Sequence, residues 1–90
     1  MANKKPRSAN HNDYFILVTG VPLKNLKELA SSLETMNDWV FNHHVNYARN
    51  DFSNWARDVL KEKELSEEIR TVSKNDMEKH ILRHLVNQYL

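Results

Sequence analysis

Five histidines and a scatter of carboxylates are the residues of this chain whose chemistry must be placed first. His80 and His84 stand four apart, so a helix would carry both on one face at metal-ligand spacing. His43 and His44 lie well upstream, and His44 is the natural third ligand, with Asp51 or Asp58 as an oxygen donor. Against such a site, His80 is followed by Ile81, Leu82 and Arg83 rather than by the glutamate of an HExxH helix. Arg83 would also set a positive charge beside any cation. Both rings fall at the margin of an apolar stripe, where amphipathic side chains commonly sit, so boundary packing is the expected role. No metal and no other cofactor is expected.

Catalysis finds little else to build on. Ser53 stands between Phe52 and Asn54 at a helix start, where a helix-terminal hydrogen bond accounts for it. Asp51 and Asp58 are seven apart on an amphipathic pattern; a cap explains the first and an arginine pairing or solvation the second. Gly20 is the only glycine, which excludes a phosphate loop or a dinucleotide turn. With no cysteine there is no thiol nucleophile, disulfide or thiolate zinc site. The expectation is a protein that is not an enzyme.

Binding chemistry is better represented. Trp39, Trp55, Phe41, Phe52 and Tyr47 cluster in the middle third, interleaved with Arg49 and Arg57, an arrangement able to stack on unpaired bases. Aromatic residues at helical spacing usually pack against one another, so a core is the expected use. Lys4, Lys5 and Arg7 place three positive charges in residues 1–12, leaving the rest of the chain at a net −2 out of a total of +1. A slightly acidic body under a basic arm is a poor footprint for duplex binding, although the arm's cations remain candidate phosphate contacts.

These residues need a scaffold, and 90 residues allow one domain. Hydrophobic residues make up 40% and charged residues 28%, a globular balance. Residues 1–12 carry no periodicity and read as a disordered basic tail; residues 13–90 read as a single helical domain. Tyr14 to Thr19 is a continuous β-branched and aromatic run stopped by Gly20, a strand signal. Its partner is the short Val21-Pro22-Leu23 segment or another copy of the chain, and Pro22 limits that partner to an edge. From Asn25 the period changes: Leu26, Leu29, Ala30 and Leu33 recur at helical spacing, and Asn25 with Glu28 forms a reciprocal cap. Met36 and Phe41 staple a second helix begun at Asn37, along which Trp39, Val40, His43, His44 and Tyr47 run. Phe52, Trp55, Ala56, Val59 and Leu60 give the cleanest amphipathic stripe. Leu65, Ile69 and Val72 form a thin seam in the charged Lys61 to Arg70 stretch, expected to be a short exposed helix. Ser73 caps a last helix whose apolar face is broad: Met77, Ile81, Leu85 and Tyr89, with Leu82, Val86 and Leu90 alongside.

The string from Phe41-Asn42-His43-His44-Val45-Asn46 to Asn50-Asp51-Phe52-Ser53-Asn54-Trp55-Ala56-Arg57-Asp58-Val59-Leu60 resembles an uncharacterised prokaryotic domain family, met largely in archaea and candidate-phylum bacteria. That family joins a strand ending in Gly, an NLKELA helix and an HHVN…NDFSNWxRDV core. The resemblance runs from about Tyr14 to Arg70 and implies a small helical domain with no activity attached. The chain departs from the pattern after Leu60, where Lys61-Glu62-Lys63 stands in place of a glycine turn; the third and fourth helices are then either separate or fused. Independently of the family, His44, Asn50, Asp51, Asn54 and Asp58 are expected to surround Trp55 as a hydrogen-bonded network bracing an inter-helix turn.

The fold expected is mainly α, a compact orthogonal bundle of four to five short helices with an N-terminal strand or β-hairpin. The function expected is a non-enzymatic protein-interaction module, meeting a protein partner or its own copy as a homodimer. The strand edge and the Ile81, Leu85, Tyr89 and Leu90 face would form the contact. The alternative is a nucleic-acid- or ribosome-associated protein using the basic arm. No apolar run is long enough to cross a bilayer, so no membrane partner is expected and the cytoplasm is the expected location.

Overall fold

The computed structural model describes residues 5–89. The chain joins the body early: the Ala9 amide donates to the Lys24 carbonyl at 2.8 Å, and a 3-10 turn follows at His11–Asp13. Strand β1, Phe15–Ile16, pairs antiparallel with β2, Pro22–Leu23, setting Phe15 opposite Leu23 and Ile16 opposite Pro22. The Leu17 amide adds one more rung to the Val21 carbonyl. The strand is shorter than the Tyr14 to Thr19 run, because the chain must reverse by Gly20. That residue has φ +92°, and its amide closes the turn on the Leu17 carbonyl. Alternation survives the shortening: Phe15, Leu17 and Leu23 are buried while Ile16 and Val18 face out.

Helix α1, Leu26–Thr35, begins at the reciprocal cap: the Glu28 amide donates to Asn25 Oδ1, and Glu28 Oε1 accepts from the Lys24 amide. It buries Leu26, Leu29, Ala30 and Leu33. Helix α2, Asp38–His44, stops three residues short of the expected Tyr47. The chain instead makes a second hairpin, β3 Val45–Asn46 against β4 Arg49–Asn50, with Val45 opposite Asn50 and Asn46 opposite Arg49. Helix α3, Asp51–Asp58, follows at once with Asn50 as its cap, in the place the sequence suggested for Asp51.

Helices α3 and α4 are separate, with α4 at Lys63–Glu68. The break is made at Lys61, whose φ of +60° puts it in the left-handed region that a glycine would occupy without strain. The Leu60 and Glu62 amides close the end of α3 on the Trp55 and Ala56 carbonyls. Helix α4 is less exposed than expected, since Leu65, Ser66 and the following Ile69 are buried. Helix α5, Lys74–Tyr89, starts with the Asp76 amide on Ser73 Oγ and packs on both α1 and α4. One cluster collects the apolar faces, from Phe15 and Leu17 through Leu29, Leu33, Phe52 and Trp55 to Met77 and Ile81, with Val59 against its edge. The domain is mainly α, five helices with two small hairpins among the described residues.

Candidate functional site

The resembling motif is divided by the fold into a sealed half and an open half. The sealed half centres on His44, which ends α2 with only 5% of its surface exposed. The Val18 amide donates to His44 Nε2 at 3.0 Å, so that nitrogen holds a lone pair and the proton sits on Nδ1. Nδ1 lies 3.0 Å from Asp51 Oδ2 and donates to it, and Asp51 is held from the other side by Arg49 Nε at 3.2 Å. The ring packs on Phe15 and Phe52, with centroids 4.9 Å and 5.2 Å away. A histidine oriented by an aspartate is half of a catalytic triad, but here the nitrogen that would take a proton is occupied by a backbone amide. The pair therefore serves the fold: it covers the open edge of β1 at Val18 and ties that edge to the start of α3.

Asn50 ties the same start of α3 to the chain that follows α4. Its Oδ1 accepts the Ser53 amide at 2.9 Å while its Nδ2 donates to the Ile69 and Arg70 carbonyls at 2.9 Å and 3.0 Å, just past α4. Ser53 Oγ donates to the Ser66 carbonyl at 2.7 Å. Trp55 is core, with its Nε1 donating to the Asp13 carbonyl at 2.9 Å. Two expected members of the network are elsewhere. Asn54 and Asp58 lie on the solvent face of α3, because successive helix residues turn by about 100° and Phe52, Ser53, Trp55 and Ala56 take the inward face. Asp58 pairs with Arg57 at 2.8 Å, which holds its carboxyl below the usual carboxylate range.

The expected contact face on α5 is also corrected. Ile81 is fully buried, Leu85 packs against the core, and the Tyr89 hydroxyl donates to Glu62 Oε2. That bond, together with burial, pushes the Tyr89 phenol up to about 12. Helix α5 spends its wide apolar face on two neighbours, α1 and α4, so Leu82 and Val86 are the large apolar residues it leaves exposed. Leu90 and Lys4 lie outside the described residues. Lys5 and Arg7 line a cleft with Leu60, Lys61, Glu62, Gln88 and Tyr89, where the buried side of Glu62 is taken by Tyr89 and by His84 Nε2 at 3.0 Å. His80 faces a different carboxylate, Glu68 at 3.4 Å, and no three His, Asp or Glu side chains converge among the described residues. Three of the five histidines thus each face a separate acidic partner.

The open half of the motif is the β3–β4 loop. Asn46 locks it: its Nδ2 donates to the Asn42 and His43 carbonyls at the end of α2, and its Oδ1 accepts the Ala48 amide at 3.0 Å. Arg49 Nη2 adds a bond to the His43 carbonyl at 3.0 Å. Tyr47, at the tip of this braced loop, has its side chain wholly in solvent. Beneath it runs a cleft of about 560 Å³, lined on one side by Val45 to Asn50, on the floor by Ser53 and Asn54, and opposite by Arg70, Thr71 and Val72. Its size is that of an ordinary ligand cleft. Sequence reasoning placed Tyr47 inside a helix and gave Arg70 and Thr71 no part. The signal available was Asn46, a turn-forming residue at the point where the helical period lapses. No protein-family model, curated protein or solved structure matches the chain.

Proposed function

We propose that this domain works by binding rather than by catalysis, as a small interaction module whose recognition surface is the cleft beneath Tyr47. One observation carries the reading: an aromatic side chain with no packing role stands on a loop held by four side-chain hydrogen bonds, through which Asn46 and Arg49 fasten it to the end of α2. Tyrosine and arginine are enriched among the residues that dominate interfaces, tyrosine because it buries a large ring with few torsions to fix and arginine because its planar guanidinium makes several hydrogen bonds at once, and a fixed loop lowers the ordering cost further. The non-enzymatic part is supported by His44, both of whose nitrogens are engaged within the fold. The expected protein or self contact through α5 loses its motive with Ile81 buried. The exposed apolar residues left for a homodimer are Ile16, Val18 and Val21 on the first hairpin, Trp39 on α2, and Leu82 and Val86 on α5. No helix among the described residues is long and apolar enough to cross a membrane.

A fragment screen by NMR tests the reading. Small aromatic acids, amides and phosphates added to labelled protein should shift the amides of Tyr47, Ala48, Arg70 and Thr71 more often than any other group. Hits spread evenly over the surface, or concentrated on the first hairpin, would remove the cleft as the recognition surface.

A further inference from the structure

We infer that the occupant of this cleft is a short unpaired stretch of nucleic acid, an inference that rests on the binding reading above and gives it a ligand class. The lining contains two arginines, Arg49 and Arg70, and no carboxylate. Other cations of the fold lie beside acids: Arg57 faces Asp58, Lys74 faces Asp38, and Lys61 shares its cleft with Glu62. Arg49 is engaged with Asp51 and the His43 carbonyl, whereas Arg70 has no side-chain acceptor among the described residues. An exposed guanidinium on a cleft rim without acids is placed to take a phosphate oxygen.

The aromatic group narrows the class. Tyr47 offers a free ring face on the same cleft as that guanidinium, and a base can stack on it only if it is not already between two neighbours in a duplex. Across the floor, Asn54 accepts from Arg57 through Oδ1 and keeps its Nδ2 donors uncommitted, and Thr71 lies on the far wall. Amide and hydroxyl groups at that position suit the exposed edge of a splayed base. Two lining arginines are too few to hold a duplex, whose affinity grows with the number of phosphates neutralised, and no helix projects here to enter a groove. A single strand that seats one base and passes its phosphates over Arg70 fits the volume and the charge together. This places nucleic-acid contact on the motif loop; Lys5 and Arg7, the arm cations, line a different cleft.

Fluorescence anisotropy of a labelled, mixed-sequence single-stranded RNA of about ten nucleotides, titrated with the full chain at low salt, tests this. Wild-type protein should bind, and the duplex form of the same RNA should bind more weakly. Tyr47→Ala should weaken binding roughly tenfold or more while Tyr47→Phe retains it, as stacking on one base requires. Arg70→Glu should weaken binding and lower the salt dependence by about one counterion. Because both side chains are exposed, unchanged circular dichroism in these variants is expected and confirms that folding is intact. The inference is overturned if wild type does not bind, or if Tyr47→Ala binds as wild type does. It also fails if Lys5→Glu/Arg7→Glu alone abolishes binding, which would leave only arm electrostatics, or if a glutamate-rich peptide displaces the RNA, which would mean an acidic protein segment. Fragments converging on the cleft without RNA binding would defeat the ligand class and leave the binding reading standing; fragments failing as well would defeat both.

Discussion

The two hairpins have almost the same size and opposite uses. Each is a two-residue pair of strands, and each is fastened to the end of α2. The first sends Phe15, Leu17 and Leu23 into the core and receives a histidine on its edge. The second buries little besides Asn50, is held by polar side chains, and keeps its one aromatic residue in solvent. Hydrophobic burial fixes the first and leaves its tip, Val18 to Val21, exposed. Hydrogen bonding fixes the second, whose apolar residue is then free for something outside the molecule. A small domain can thus hold a loop rigid without committing its large side chains to packing, provided the loop's own amides and its neighbours' carbonyls are satisfied.

Truncating the aromatic residue of each hairpin should separate the two most. Phe15→Ala removes a ring packed on His44, Phe52 and Trp55 and is expected to destabilise by about 3–5 kcal/mol. Tyr47→Ala is expected to stay within about 0.5 kcal/mol of wild type. Urea midpoints measure both, and a comparable loss at Tyr47 would erase the distinction. The next contrast lies in two asparagines, one closing the second hairpin and one on α3. Asn50→Ala loses the α3 cap and strips two carbonyls of a buried donor, for about 2–3 kcal/mol in the same measurement. Asn54→Ala, one turn on and exposed, should cost less than about 0.5 kcal/mol.

Smaller effects of opposite sign are expected at the two left-handed residues. Gly20→Ala, in the first hairpin, meets no neighbouring atom but must hold φ +92°, and should cost about 1–2 kcal/mol. Lys61→Gly should gain about 0.5–1 kcal/mol, the relief of a side chain at φ +60° less the added freedom of the unfolded chain. Thermal melts of the two variants should therefore move in opposite directions. The smallest effect appears only in alkali. Tyr89 titrates near 12 when folded against 10.0 ordinarily, a raised value, so its bond to Glu62 contributes in full below pH 10 and is lost as pH rises through 12. The stability difference between wild type and Tyr89→Phe should be constant up to pH 10 and disappear above 12; a difference that persists there would assign the effect to packing.

Much of the scaffold was legible because it is periodic. The Asn25 and Glu28 cap, the Leu26 to Leu33 stripe, and the Phe52 to Leu60 stripe each stand where their spacing put them. The β3–β4 hairpin was not legible, since two residues a side leave no alternation to detect and Val45 continues a helical phase equally well. The breadth of the α5 face was read correctly as a count of apolar residues and wrongly as a surplus, because a sequence does not say how many neighbours one helix has. Part of the motif network was legible by residue type: His44, Asn50 and Asp51 are braced as buried polar groups must be. Asn54 and Asp58 share that polarity, but the helix phase sends them to solvent, and Arg70 was hidden because the cleft joins segments 16 or more residues apart in the chain.

The packing of α1 against α5 also has a consequence for synthesis on the ribosome. Leu26, Leu29 and Leu33 are made before Met77 and Ile81, which share their core. Until α5 is available the growing chain lacks the helix that α1 chiefly packs on, so this domain closes only after α5 has been translated. A pause or break ahead of Met77 would leave a sticky half-domain rather than a smaller folded one, and would make such products clients for chaperones or proteases.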